Sequence, residues 1–166
     1  MKILYFGGQK SGKSRLAEAK TLSLSPLKKP IYLATYDNSY EDKEMQERIS
    51  LHHQQRQEKF RTIEEPLNLA KVIKEKETYL IDCISMWTLN TLKQPLEELL
   101  KELEAINQKN SHIIFVLNDV NAGVIPLNKE SRKFVDRSGI IGQKLAEFCD
   151  EVYEVKVGLP IQLKSI

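Results

Sequence analysis

The sequence has few of the features that mark several protein classes. Its 166 residues include only two cysteines, Cys83 and Cys149, and their spacing fits neither a C-x-x-C pair nor a metal site, which indicates free thiols rather than a disulfide framework. No apolar run approaches the length of a membrane span. A net charge of +2 provides no strong field for nucleic acid or an anionic membrane. These absences predict a soluble, cytoplasmic protein whose anion recognition is local.

The sequence does contain a phosphate-binding signature directly behind its first apolar segment. Residues 7–14 read GGQKSGKS and match G-x-x-x-x-G-K-[ST] between a strand-like and a helix-forming segment. The loop residues whose backbone N–H groups are expected to close around phosphate oxygens are Gly7, Gly8, Gln9, Lys10, Ser11 and Gly12. Lys13 is expected to reach the terminal phosphates and Ser14 to ligate Mg²⁺. The predicted ligand is therefore a nucleoside triphosphate.

Apolar segments of strand length alternate with helical patterns along the chain. The predicted strands are 2–6, 30–35, 78–82, 111–118 and 151–157, with a short terminal strand after 158–160. The predicted helices are 14–23, 40–57, 67–76, 84–92, 95–110 and 130–149. This alternation predicts an α/β fold of the P-loop NTPase type, with a mainly parallel central sheet flanked by helices and an antiparallel C-terminal edge strand. The length suits a single nucleotide-binding domain over residues 1–166.

A carboxylate at the end of the third predicted strand is the candidate acidic residue that accompanies the phosphate loop. Asp82 closes the segment YLID, a position from which a carboxylate reaches Mg²⁺ or its water opposite the phosphate loop. The alternative role is an N-cap for the helix that starts at Ile84, and the two roles are compatible. Asp119, after the next strand, is a weaker candidate for the same pocket.

Two of the three histidines, His52 and His53, fall on the polar helix predicted for 40–57. Arg48, His52 and Arg56 recur every four residues and therefore share one helix face. Two guanidinium groups would bind phosphate oxygens and keep the imidazole neutral, and a neutral histidine beside phosphate is a nucleophile. From the residues alone, a solvated helix face is the simpler interpretation.

Several other residues have a weaker signal. The basic residues that are further candidates for phosphate contacts are Arg61, Arg132, Lys133 and Arg137. His112 begins an apolar strand and is interpreted as structural. Trp87 follows Met86 on a helical pattern and is interpreted as part of the core or of a subunit contact.

An ordered set of segments resembles the bifunctional adenosylcobinamide kinase and adenosylcobinamide-phosphate guanylyltransferase family of cobalamin biosynthesis. GGQKSGKSRLAE is similar to the family's GGxRSGKSxxAE, and RISLHHQQRQEKFRTIEEP to its RIxxHxxxRxxxWxTxExP. The segments that resemble its acidic strand, its NEVGxGIVP stretch and its ending are LIDCISMWTLNTL, LNDVNAGVIPLNKESRKFVD and DEVYEVKVGLPIQLK. The likeness runs nearly end to end and is more specific than the phosphate loop alone.

The resemblance implies two reactions. In the first, the γ-phosphate of ATP or GTP passes to the hydroxyl of the aminopropanol arm of adenosylcobinamide. In the second, the histidine that falls on His52 attacks the α-phosphorus of GTP, releases pyrophosphate and passes GMP to adenosylcobinamide phosphate. The resemblance further places Asp82 at Mg²⁺ and Arg48, Arg56 and Glu64 around the guanylyl site. It also implies a homotrimer acting on a small-molecule corrinoid.

The sequence departs from the family pattern at several motif positions. These are Lys10 for an arginine, Phe60 for a tryptophan, Leu117 for a hydroxyl residue, Asp119 for a glutamate, Asn121 for a glycine, Val135 for an arginine and Gly142 for a frequent asparagine. No N-K-x-D-like guanine reader is present, so the sequence does not choose between ATP and GTP as phosphoryl donor. Two alternatives stay open: a P-loop kinase of another small alcohol or nucleoside, and a nucleotide-dependent switch or assembly factor.

Overall fold

The computed structural model describes residues 1–37 and 42–166, without the side chains of Met45, His52 and His53. The strands in this part of the chain are β1 (Lys2–Gly7), β2 (Ile31–Ala34), β3 (Arg61–Glu64), β4 (Thr78–Asp82), β5 (His112–Asn118), β6 (Glu151–Lys156) and β7 (Leu159–Lys164). The helices are α1 (Lys13–Ser23), α2 (Lys43–Arg56), α3 (Leu69–Val72), α4 (Ile84–Asn90), α5 (Leu96–Asn107) and α6 (Lys129–Phe148). None of the helices described is long and apolar enough to cross a membrane.

The strands form one sheet in the order β3-β2-β4-β5-β1-β6-β7. Every neighbouring pair is parallel except β6 and β7, which run antiparallel at one edge. The predicted α/β fold with a mainly parallel sheet and an antiparallel C-terminal strand is therefore confirmed. Because β1 lies between β5 and β6, its last residue, Gly7, pairs with both Asn118 and Val155. The loop that follows Gly7 starts inside the sheet rather than at its edge.

Helices cover both faces of the sheet and produce two apolar layers. The face that carries α1 buries Ile3, Ile114 and Val116 with Ala17 of that helix. On the other face, α5 contributes the buried residues Leu99, Leu103 and Ile106, whose helical spacing matches the predicted amphipathic segment. Apolar residues cover the central strands on both faces, and parallel α/β sheets of this kind generally bind ligands at the carboxyl ends of their strands.

Two predicted elements were wrong or missing. The helix predicted for 67–76 is limited to Leu69–Val72, because Ile73 is extended and Lys76 has a φ of 59°, a conformation that ends a helix. Strand β3 was not predicted, since the segment RTIE is short and has a charged residue at each end. It nevertheless pairs in parallel with β2 along its full length, from Arg61 opposite Ile31 to Glu64 opposite Ala34.

Candidate nucleotide site

The phosphate loop lies between β1 and α1, as the signature predicts. The N-cap of α1 is Gly12, whose φ of 98° suits a residue without a Cβ. Lys13 is buried, and its Nζ donates to the carbonyl oxygen of Gly8 across 3.0 Å. Burial lowers the pKa of Lys13, and the nearby Asp82 and Cys83 act in the opposite direction. The loop thus folds around its own lysine, beside the amino end of a helix.

The turn between β6 and β7 packs against this loop. Gly158 donates its backbone N–H to the carbonyl oxygen of Ser11 across 2.8 Å. A Cβ added at Gly12 would lie 3.1 Å from Cα of Gly158, and one at Gly7 would lie 2.5 Å from the carbonyl oxygen of Val155. These glycines are therefore needed for close backbone approach. The C-terminal hairpin, formed by β6 and β7, therefore packs directly against the backbone of the phosphate loop.

A cavity of about 290 Å³ opens beside the loop, at the carboxyl ends of β2, β3 and β4. We call it the strand-end cavity. Its lining includes four of the residues predicted for the site: Ser14, Arg56, Glu64 and Asp82. Each comes from the end of an element, because Ser14 lies in the first turn of α1 while the other three are the last residues of α2, β3 and β4. The fold thus brings together residues that are far apart in the sequence.

The Asp82 carboxylate is held by a phenol and faces a guanidinium group. The hydroxyl of Tyr32 donates to Oδ2 of Asp82 across 2.8 Å, and Nη2 of Arg56 lies 3.9 Å from the same oxygen. Arg56 also lies 4.1 Å from the centre of the Tyr32 ring, a cation–π distance. Burial, followed by the negative charge of Asp82, raises the pKa of Tyr32 well above its ordinary value. Tyr32 therefore stays protonated and keeps donating to the carboxylate.

The alternative role of Asp82 as a helix cap is wrong. The N-cap of α4 is Cys83, whose Sγ accepts from the backbone N–H of Met86 across 3.4 Å. The Asp82 side chain instead lines the strand-end cavity, where it is available to a ligand. Burial, with a smaller contribution from the charge of Asp82, raises the pKa of the Cys83 thiol to about 11. Both cysteines are free, as predicted.

Ser14 and Asp82 fit a divalent cation by the chemistry of their donors. A hydroxyl and a carboxylate on the wall of one cavity are hard oxygen ligands of the kind that Mg²⁺ takes together with phosphate oxygens and water. Within residues 1–37 and 42–166, no group of three or more His, Cys, Asp or Glu side chains is placed to hold a metal.

Of the residues predicted for the guanylyl site, Arg48 is described and does not line the strand-end cavity. Arg48 is exposed and pairs with Glu44 one turn earlier, across 3.2 Å. His52 belongs to the backbone of α2, but its side chain lies outside the described residues. The shared face of Arg48, His52 and Arg56 therefore stays a prediction, with only Arg56 placed at the cavity.

Several weaker candidates have structural roles instead. Arg137 is buried and donates to the carbonyl oxygens of Thr91 and Gln94. Arg61 begins β3, at the end of the sheet opposite the phosphate loop, and pairs with Glu77. Trp87 is fully buried, which confirms the core interpretation.

Asp119 is separate from the pocket of Asp82. Its backbone N–H donates to the carbonyl oxygen of Gly7 across 2.8 Å. Its side chain lines a different cavity, against α6.

Sequence reasoning missed two residues that hold the site together, Tyr32 and Glu18. Nε of Arg56 donates to Glu18 of α1 across 2.7 Å, which ties α2 to the helix of the phosphate loop. Glu18 is the last residue of the quoted segment GGQKSGKSRLAE, but the motif assigned it no role. Tyr32 had one, since a tyrosine inside a buried strand needs a partner for its hydroxyl.

Comparisons with known proteins cover nearly the whole chain. The family described as cobinamide kinase / cobinamide phosphate guanyltransferase matches residues 3–163. The chain is 38% identical over 174 residues to the bifunctional adenosylcobalamin biosynthesis protein CobP of Pseudomonas aeruginosa, covering 99% of this chain and 98% of that protein. It is 30% identical over 186 residues to the bifunctional adenosylcobalamin biosynthesis protein CobU of Escherichia coli, covering 99% and 100%. A solved structure of a Pyrococcus horikoshii protein superposes with a TM-score of 0.54 at 13% identity, covering 99% of this chain and 86% of that one, a likeness of fold alone.

Proposed function

Because the chain belongs to the cobinamide kinase / cobinamide phosphate guanyltransferase family, we infer that it is a bifunctional cobinamide kinase and cobinamide phosphate guanylyltransferase of cobalamin biosynthesis. We propose that it phosphorylates adenosylcobinamide with ATP or GTP and then transfers GMP from GTP to adenosylcobinamide phosphate. The observation that carries the proposal is the convergence of Ser14, Arg56 and Asp82 on one cavity beside the phosphate loop. This arrangement supports both reactions at one nucleotide site.

The phosphate loop serves the kinase reaction. Lys13 exchanges the carbonyl oxygen of Gly8 for an oxygen of the terminal phosphates, and the N–H groups at the start of α1 bind the rest of the chain. Ser14 and Asp82 would hold Mg²⁺, which would supply positive charge next to the transferred phosphoryl group. The acceptor hydroxyl forms a bond to the γ-phosphorus as the bond to the β-phosphate oxygen breaks, and the nucleoside diphosphate leaves.

The second reaction uses α2. In our proposal a ring nitrogen of His52 forms a bond to the α-phosphorus of GTP, and pyrophosphate leaves as the α–β bond breaks. An oxygen of adenosylcobinamide phosphate then attacks the same phosphorus, the P–N bond breaks, and GMP is transferred. Arg56 supplies positive charge from the wall of the strand-end cavity, where Glu64 also lies. Arg48 lies outside the cavity, so its proposed part requires α2 to shift when GTP binds.

Labelled GTP tests the covalent step. Incubation of the protein with Mg²⁺ and GTP labelled at the α-phosphate is expected to leave acid-labile, base-stable label on the chain. His52→Asn is expected to abolish this label while retaining transfer of γ-phosphate to adenosylcobinamide, and His53→Asn is the matched control that keeps both. Label that survives His52→Asn assigns the nucleophile elsewhere. An unlabelled protein that still phosphorylates cobinamide is a kinase alone.

The remaining proposals concern the phosphoryl donor, the domain organisation and the oligomeric state. We propose that residues 1–166 form one P-loop domain and that the cytoplasmic enzyme is a homotrimer. The support is the edge strand β7, whose alternate residues Leu159 and Ile161 are exposed apolar side chains of the kind that a second subunit covers. Light scattering on the purified protein tests the trimer, and competition between ATP and GTP in the kinase assay identifies the phosphoryl donor.

A further inference from the structure

A second cavity of about 440 Å³ lies on the sheet face that carries α6. Apolar side chains form most of its wall: Leu4, Phe6, Leu117, Ala146, Val152 and Leu163. Gly139 and Gly142 of α6 also line it, so the helix presents backbone rather than side chains there. We call this space the α6 cavity. Its size is in the range of small-molecule sites, and the kinase and guanylyl steps described above make no use of it.

One polar group is buried in this wall without a partner. Ser138 is fully buried and lines the α6 cavity, and within the described residues its Oγ makes no hydrogen bond. A buried hydroxyl of this kind is unfavourable unless something in the cavity bonds to it. This unsatisfied hydroxyl lies beneath the surface of the wall, because Ser138 has no accessible surface.

Two residues that line the α6 cavity, Asn118 and Asp119, lie next to Gly7 at the start of the phosphate loop. Asn118 pairs with Gly7 in the sheet, and Asp119 donates its backbone N–H to the carbonyl oxygen of Gly7 across 2.8 Å. Three carboxamide side chains line the cavity, those of Asn118, Asn121 and Gln143. A molecule seated there would approach the loop from the sheet face opposite α1.

We propose that the α6 cavity binds an edge of the corrinoid acceptor. A corrin edge carries methyl groups and primary carboxamide arms, which match the apolar wall and the side-chain amides. The proposal rests on the proposed function and adds a location: the acceptor lies on the α6 face while the nucleotide lies at the strand-end cavity, so the hydroxyl arm meets the phosphate loop between them.

The positions at which the sequence departs from the family pattern support a role in acceptor preference. Four of them line the α6 cavity: Leu117, Asp119, Asn121 and Gly142. A Cβ added at Gly142 would lie 3.2 Å from Cδ2 of Leu117, so a longer side chain at 142 would reduce the space. These residues therefore set the shape that this chain offers to the corrinoid.

Dicyanocobinamide, a coloured corrinoid, is the probe for this site. Gly142→Met is expected to weaken its binding, measured by calorimetry, about tenfold or more, because the side chain occupies the cavity. Affinity for GTP is expected to change less than about twofold, since no residue of the strand-end cavity is altered. In the kinase assay the KM for cobinamide rises while the KM for the nucleotide does not. Glu147→Met, on an exposed position of α6, is the matched control with wild-type binding.

Gln143→Glu provides a second variant in case Gly142→Met folds poorly. It keeps the shape of an exposed side chain but removes an amide donor, and it is expected to weaken dicyanocobinamide binding several-fold. If both folded variants bind the probe as tightly as the wild type, the α6 cavity is not the acceptor site, and the proposed function stands. If the wild type neither binds nor phosphorylates cobinamide, the proposed function itself is overturned along with this inference.

Discussion

Arg56, the last residue of α2, donates through Nε to the Glu18 carboxylate of α1 across 2.7 Å. Its guanidinium group also covers the ring of Tyr32. Since α1 begins in the phosphate loop and α2 carries His52, this contact joins the two helices that the proposed guanylyl transfer requires. We therefore expect the position of α2 to depend on the charge of Arg56 at its carboxyl end.

Replacing Arg56 by methionine is expected to reduce guanylylation at least about tenfold, because positive charge is lost from the strand-end cavity, where we propose that phosphates bind. The free energy of unfolding is expected to fall by about 1 kcal/mol, the upper range for an ion pair whose side chains are 16% and 29% exposed. Labelled GTP measures the first effect and chemical denaturation the second. Arg48→Met on the same helix is the stability control, since its pair with Glu44 is exposed.

A double-mutant cycle with Glu18→Gln isolates the pair. Loss of the charge from either partner should remove most of the same interaction, so the two stability effects are expected to be less than additive by about 0.5–1 kcal/mol. Fully additive effects would show that Arg56 and Glu18 are neighbours without energetic coupling.

The sequence predicted those parts of the site that depend on local order along the chain. Ser14 follows a recognisable loop and Asp82 ends an apolar strand, so local sequence alone is enough to assign both to the site. Tyr32 and Glu18 cannot be assigned in this way, because their roles arise only when β2 and α1 are brought beside β4 and α2. Strand β3 was missed for a similar reason: its pairing with β2, rather than apolar periodicity, makes it a strand.

The Tyr32→Phe variant tests whether Tyr32 positions the Asp82 carboxylate, because it removes a hydrogen bond and leaves the charge of Asp82 unchanged. Removing the phenol hydroxyl leaves the carboxylate in place with one hydrogen bond fewer, so the kinase rate is expected to fall about three- to tenfold, with a higher Mg²⁺ requirement. Asp82→Asn removes the carboxylate that we propose as a cation ligand and is expected to lower the kinase rate about a hundredfold or more. Rates measured over a Mg²⁺ titration distinguish the two. Equal losses in both variants would contradict a positioning role for Tyr32.

Gly158→Val tests the support of the phosphate loop by the C-terminal hairpin. Gly158 has a φ of 82°, which strains a β-branched residue, and its N–H binds the carbonyl oxygen of Ser11. The variant is expected to lose about 1–2 kcal/mol of stability and to raise the KM for the nucleotide, because the loop is displaced. Val157→Thr, at the exposed neighbouring position, is the control for the turn. A destabilised Gly158→Val protein with an unchanged KM would mean that the loop keeps its shape without the hairpin.

Alkylation of Cys83 reports on the environment of Asp82. The pKa of this thiol is raised to about 11, so only about one molecule in a thousand carries the thiolate at pH 8, and iodoacetamide should react slowly. Between pH 8 and 10 the rate is expected to rise about tenfold per pH unit, because the thiolate fraction grows until the pH reaches the pKa.

Cys149→Ser removes the second thiol, and a small free thiol under the same conditions calibrates the reagent. Asp82→Asn is expected to move the profile to lower pH by removing a neighbouring negative charge, and bound nucleotide should slow the reaction by filling the cavity that Cys83 lines. A rate that is already constant below pH 9 would show that the thiol is exposed to water and that neither burial nor Asp82 controls it.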